Sequence, residues 1–212
     1  YESKVYSDAT GLYLIYDDTL GDGDNHIMVQ KLLDPDDIDT SFTARAILSP
    51  EDLRSEDRNP PGGMQIVEGA NIKHVVTPSG SKYVLFYAVG DYALGNYKLG
   101  VAYSDVLIPP PGQRYIKSKK YDSMNVWGNP GPRNEVVYSL QTQIAEWPNY
   151  YASLFNGPGL GNLIEYLNHY YAVFHARDPG QTGSGDGRWV WICPVTIDFT
   201  ESMESWMVPQ LP

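Results

Sequence analysis

The sequence predicts an all-β protein built from three copies of one strand unit. Aromatic and β-branched runs, which favour strands, begin at residues 13, 84 and 172 with the letters YLIY, VLFY and AVFH. Each run follows a shorter strand and a tight turn, and each precedes a polar loop and a further strand. Aromatic residues form 13% of the chain, a proportion that suits packing on pleated surfaces.

The three units have the same internal order. The short first strands are expected around residues 5–6, 72–76 and 163–164, and the turns at 8–11, 78–80 and 167–168. The third strands are expected at 26–30, 97–103 and 189–195. Repetition of a strand–turn–strand–loop–strand unit is typical of β-propeller blades. A sandwich or jelly roll is the alternative fold, because it also joins short strands by turns without requiring each unit to copy the last.

Three blades do not close a ring whose inner strands surround one axis. The first letters, YESKVY, already resemble a strand. We therefore expect further N-terminal blades, supplied by the same chain or a separate one. The segment from 109 to 158 breaks the repeat, with strands expected at 135–138 and 150–155.

Composition argues against several classes of function. The net charge is -11, and the only dense basic run is KSKK at 117–120, so a nucleic-acid partner is not expected. No apolar run approaches the roughly 18 residues of a membrane span, and no signal peptide is recognisable. The single cysteine, Cys193, excludes an internal disulfide and a cysteine-based zinc site. It lies in the strand-like run RWVWICP, where a buried structural thiol is expected.

Glu68 is unusual for its surroundings. It lies within the otherwise apolar run QIVEGANI at 65–72, which enters a strand. Charged groups are seldom buried without a partner, and desolvation would raise the pKa of Glu68 and keep it protonated, as a general acid requires. A solvent-facing carboxylate on an edge strand is the alternative interpretation.

Around Glu68 the sequence resembles glycoside hydrolase family 43, whose members are five-bladed β-propellers. The resemblance rests on Glu68-Gly69, the aromatic run at 83–87 and the strand YKLGVAYS at 97–104. It implies that residues 1–212 form about three blades of a catalytic-type propeller domain. It also implies that Glu68 is the general acid.

The resemblance assigns roles to further residues. Glu2 falls where the family has an aspartate that tunes the acid, so Glu2 is a possible pKa modulator. His175 and Arg177 match a His-x-Arg feature near the propeller axis and are expected to bind substrate, with an Arg177–Asp178 structural pair as the alternative. Trp127, in the irregular segment, is a candidate for stacking on a sugar.

One family motif is altered. The run GPGLGNLI at 157–164 resembles the family's Gly-x-Gly-His-Gly, whose histidine approaches a metal or water at the axis, but Leu160 replaces that histidine. Leucine cannot ligate, so we expect no cofactor and no central calcium held in the family's manner. No aspartate in the chain matches the family's catalytic base, which comes from the first blade.

The resemblance therefore implies a secreted glycosidase that cleaves arabinofuranosyl or xylosyl linkages in plant-type polysaccharides or oligosaccharides with inversion. The alternative is a non-catalytic carbohydrate-binding propeller, favoured by Leu160 and by Glu2 in place of aspartate. No membrane association is expected. Secretion follows from the substrate class rather than from any signal in the chain.

Overall fold

The computed structural model describes residues 2–50, 64–89, 98–117, 156–177, 187–200 and 207–209. Their strands form three antiparallel sheets. The first sheet has the order β1-β2-β3-β4, with β5 also paired to β3, and its strands are β1 (Ser3–Asp8), β2 (Gly11–Thr19), β3 (Asn25–Asp34), β4 (Asp37–Ile38) and β5 (Arg45–Leu48).

The second and third sheets each run in sequence order. The second contains β6 (Val67–Thr77), β7 (Gly80–Val89), β8 (Lys98–Ser104) and β9 (Ile116–Lys117). The third contains β10 (Asn156–Tyr166), β11 (His169–Arg177), β12 (Trp189–Ile197) and β13 (Met207–Pro209). Among the described residues, no helix has the length and hydropathy needed to cross a membrane.

The predicted repeat is confirmed. The aromatic runs lie in β2, β7 and β11, which are the second strands of their sheets. Each is joined to the preceding strand by a two-residue turn, as the pairs Asp8↔Gly11, Thr77↔Gly80 and Tyr166↔His169 show. In the last turn Leu167 and Asn168 both have positive φ, the conformation of a type I′ hairpin.

The three sheets pack face to face through two hydrophobic clusters. One cluster joins the first sheet to the second and includes Tyr13, Ile15, Val67 and Tyr87. The other joins the second sheet to the third and includes Phe86, Leu99, Phe174 and Cys193. Alternate residues of β7 therefore contribute to opposite clusters, which is why this strand is apolar on both faces. Cys193 is buried, as the sequence predicted.

The first strands of the sheets approach one another closely. Strand β6 contacts both β1 and β10, and the Asn71 side-chain amide donates to the Gly161 carbonyl oxygen of β10 at 2.8 Å. Gly161 also lets β10 pack closely on β7, since a Cβ there would lie only 2.6 Å from Phe86 Cδ1. The packing thus brings residues of three distant sequence segments to one place.

The sequence prediction missed some strands, and some of the strands that it predicted lie outside the described residues. Strand β5 was not predicted, because Arg45–Leu48 is too short a run to be recognised apart from its pairing with β3. The strands predicted at 135–138 and 150–155 lie outside the described residues.

Candidate active site

Glu68 stands at a β-bulge near the start of β6. Glu68 pairs with Ala88 and Asn71 with Phe86, so Gly69 and Ala70 together oppose the single residue Tyr87. Gly69 has a φ of 69°, the left-handed conformation that glycine adopts at the first position of this kind of bulge. Glu68 is partly buried, between the buried Val67 and Gly69. The bulge therefore fixes the backbone conformation directly after Glu68.

The Gly69 amide finds its acceptor on the neighbouring sheet. Gly69 N donates to Asp17 Oδ2 at 3.2 Å. Asp17 lies in β2 and is only 4% exposed. Its Oδ1 has no hydrogen-bond partner within the part of the chain that the structure describes. One hydrogen bond thus joins the bulge in the second sheet to a buried carboxyl group in the first sheet.

Burial raises the pKa of Asp17 to about 6. The hydrogen bond from Gly69 works in the opposite direction, while the negative charges of Glu68 and Glu2 raise the pKa further. Sequence reasoning did not single out this residue. The available signal was a charged residue directly after the aromatic run YLIY, inside a strand.

Glu2 completes a cluster of three carboxyl groups. The Asp17 amide donates to the Glu2 carbonyl oxygen at 3.1 Å. Glu2 Oε2 lies 3.6 Å from the position that a Cβ on Gly69 would occupy. The structure therefore brings Glu2 beside the residue that follows Glu68, although all strands of the first sheet separate them along the chain. The Glu2 side chain is exposed, in contrast to Asp17.

Leu160 also packs against Gly69. A Cβ on Gly69 would overlap Leu160 Cδ2 and would lie 3.7 Å from Leu160 Cγ. Leu160 has a φ of 49°, which is uncommon for a residue with a branched side chain, and it lies in an irregular part of the β10–β11 ladder. The first strands of all three sheets thus contribute to this place, since Glu2 directly precedes β1.

His175 and Arg177 lie at the end of β11, and His175 pairs with Gly159, the neighbour of Leu160. The Arg188 Nη1 group lies 2.5 Å from His175 Nε2. Burial, and then the charges of Arg188 and Arg177, lower the pKa of His175 to about 4, so the ring is neutral at neutral pH and accepts the hydrogen bond. Arg177 is 2% exposed. Trp127 and Asp178 lie outside the described residues.

No protein-family model and no curated protein matches this sequence. Several solved structures, however, match the structure of this chain. A thermostable family-43 glycoside hydrolase superposes with a TM-score of 0.62 at 17% identity, over 99% of this chain and 57% of its own. An endo-1,4-beta-xylanase from Bacteroides thetaiotaomicron gives 0.64 at 18% identity, over 99% of this chain and 58% of its own. An alpha-L-arabinofuranosidase from Lactobacillus brevis gives 0.60 at 13% identity, over 99% and 55%.

This chain has the fold of the family-43 glycoside hydrolases. The predicted resemblance is confirmed at the level of the fold, and it extends over nearly the whole chain. The chain spans a little over half the length of these structures. The residue roles that the resemblance implies stay predictions.

The expected absence of a central calcium stays a prediction, and the structure shows what occupies the position of the motif's histidine. Leu160 fills the space beside Gly69 with an apolar side chain and offers no ligating atom. Across the described residues, no group of three or more His, Cys, Asp or Glu is arranged to hold a metal ion.

Carboxyl groups at such a place can perform acid–base chemistry, because a protonated carboxyl group can donate a proton to a leaving group. Asp17 is the member of the cluster whose pKa burial and neighbouring charges raise. Family-43 chemistry of the inverting type needs a second, more distant carboxylate to activate water. None of the described residues is identified with that base.

Proposed function

We propose that this chain forms about three blades of a five-bladed β-propeller glycosidase. The enzyme hydrolyses arabinofuranosyl or xylosyl linkages of plant-type polysaccharides or oligosaccharides with inversion. The observation that carries the proposal is Glu68 on a glycine bulge where the first strands of three sheets meet, beside two further carboxyl groups. The fold shared with a xylanase and an arabinofuranosidase supports this substrate class.

Glu68 protonates the glycosidic oxygen as the bond to the sugar breaks. Glu2 tunes that acid, and the base that activates water comes from outside these 212 residues. In an inverting enzyme the two carboxyl groups stand about 6.5–9.5 Å apart to leave room for water. Arg177, His175 and Trp127 are the proposed contacts to the substrate.

Residues 1–212 are proposed to be part of a propeller domain rather than the whole of it. The outer face of the third sheet supports this, because it exposes Val190, Ile192 and Ile164 by 74, 64 and 40%. These residues lie on the side opposite the cluster that joins the third sheet to the second. An apolar sheet face of this kind is suited to packing against a further blade of the same or a separate chain. Secretion is proposed from the polysaccharide substrate.

A carbohydrate-binding propeller without catalysis is the second candidate. Leu160 favours it, since a leucine packed on Gly69 leaves an apolar contact where the family has a histidine. The two candidates differ in whether the Glu68 proton is needed.

Replacing Glu68 by glutamine in the complete protein separates them. Glu68→Gln should bind arabino- or xylo-oligosaccharides normally but hydrolyse them about 10²–10⁴-fold more slowly, the usual value of a general acid. The loss should be smaller for nitrophenyl glycosides, because a nitrophenolate leaves with little protonation. Glu165→Gln is the control, since Glu165 is an exposed carboxylate at the far end of β10.

Two outcomes of this experiment would contradict the proposed acid or the proposed catalysis. Unchanged hydrolysis of a natural oligosaccharide by Glu68→Gln would remove Glu68 from the acid role. A wild-type protein that binds these sugars and hydrolyses none of them would favour the carbohydrate-binding candidate.

A further inference from the structure

Asp17 is a carboxyl group in a place where stability alone favours a neutral residue. It is 4% exposed, and its Oδ1 lacks a hydrogen-bond partner within the described residues. A buried carboxylate without full hydrogen bonding is destabilising, and such groups are concentrated at functional sites. Neither Glu2 nor Glu68 is buried to this extent.

The contacts of Asp17 connect it to the Glu68 bulge. A bulge takes a residue out of regular pairing, and the Gly69 amide is satisfied by Asp17 Oδ2 at 3.2 Å. The carboxyl group therefore stabilises the backbone at the residue next to Glu68. Because Gly69 is left-handed, loss of this acceptor would free the bulge to change its conformation.

The charges that face Asp17 come from two strands. From β1 and the residue before it come Lys4 and Glu2, and from β6 comes Glu68. Burial lowers the pKa of Lys4, whereas Glu2 and Asp17 raise it by attraction. On β3 the paired residue is the fully buried Ile27, which contributes no charge. Two carboxylates and one ammonium group thus share the surroundings of Asp17.

We propose that Asp17 is a positioning residue for the reaction of Glu68: it holds the Glu68–Gly69 bulge in place. The inference rests on the proposed function, since it concerns how the acid is held. Asp17 touches the backbone beside the acid and acts through Glu68 rather than on the substrate.

The burial of Asp17 is measured by carboxyl-carbon NMR titration in the complete protein. Burial raises the pKa of Asp17, so its midpoint is expected near 6. A midpoint at the ordinary value of an exposed aspartate overturns the proposal, because the carboxyl group would then not be enclosed beside the bulge.

The positioning role is measured by two substitutions. Asp17→Asn keeps an oxygen that accepts from Gly69 but loses the charge, whereas Asp17→Ala loses both. Asp17→Ala should reduce turnover of an oligosaccharide about 10–100-fold, the effect of a misplaced catalytic group, and should have less effect on nitrophenyl glycosides. Asp17→Asn should retain most of the turnover.

Asp18→Asn is the matched control, since Asp18 is the next residue of β2 and its side chain points to the opposite face. It should leave turnover unchanged. An active wild type whose turnover is unaltered in Asp17→Ala would overturn the role of Asp17 and leave the proposed function standing.

An inactive wild type would instead refute the proposed function. The assignment of Asp17 would then be decided by the titration alone, which does not require turnover. Should Asp17→Ala fail to fold, Asp17→Asn and the titration still decide it.

Discussion

Replacing Asp17 by asparagine should make the protein more stable at neutral pH. The side chains have nearly the same shape, and the amide oxygen of asparagine can still accept from Gly69. What changes is that no buried carboxyl group has to ionise. The effect therefore isolates the free energy of charging Asp17 within the fold.

The magnitude follows from the pKa of Asp17, which burial raises from 3.8 to about 6. A raised carboxyl pKa means that the stability associated with the protonated group is fully present below 3.8 and is lost as the pH rises through 6. A shift of about two units corresponds to an upper bound of about 3 kcal/mol, and entry of water would reduce it. We expect Asp17→Asn to unfold with a free energy about 1–3 kcal/mol higher than wild type at pH 7.5, and similar to wild type at pH 3.5.

Urea unfolding of both proteins at the two pH values measures the difference. Asp8→Asn is a control of opposite sign, because burial of Asp8 is outweighed by hydrogen bonds from Thr10 and Tyr83, which lower its pKa. Asp8→Asn should destabilise at pH 7.5, with the difference shrinking as the pH falls through the lowered pKa of Asp8. The reasoning would be refuted if Asp17→Asn were no more stable than wild type at pH 7.5. It would also be refuted if the increase in the free energy of unfolding were the same at both pH values.

Two further predictions concern packing and metal content. Gly161→Ala should reduce the free energy of unfolding by about 1–3 kcal/mol, since its Cβ would lie 2.6 Å from the buried Phe86 Cδ1. Gly21→Ala, with no atom within 4 Å of the new Cβ, should change the free energy of unfolding, measured in urea, by less than about 0.5 kcal/mol. Equal effects of the two substitutions would show that the close contact with Phe86 does not cause the loss of stability. Metal analysis of the purified protein should find no stoichiometric ion whose loss follows substitution of residues 159–162, and finding one would contradict our assignment of Leu160.

Several features of the fold could be predicted from local patterns. The runs at 13–16, 84–87 and 172–175 form the second strands because aromatic and β-branched residues favour extended backbone whatever they pack against. The two-residue turns follow from Gly, Pro and Asn at positions that need turn conformations. Repetition of the unit then indicated several similar sheets. Strand β5 escaped prediction since its four residues are a strand only through pairing with β3.

For the candidate site, the sequence could identify Glu68 and Glu2 through a resemblance of motifs, and the structure brings them together at Gly69. It could not identify Asp17. A carboxylate in a strand is ordinarily interpreted as solvent-facing, because its desolvation cannot be inferred from neighbours along the chain. Asp17 is buried only because β6 packs across β2 and provides the Gly69 amide, 52 residues away in sequence.

The sequence by itself therefore determined the aromatic second strands and their repetition and indicated the candidate acid, since each depends on patterns within short segments. Only the tertiary structure decided that residues of β2, β6 and the start of the chain meet at Gly69, that the Asp17 carboxyl group is buried there, and that Leu160 packs against the same glycine. The physical reason is that burial and charge repulsion depend on distance in space. A pattern along one strand carries no information about which strand of another sheet will cover it.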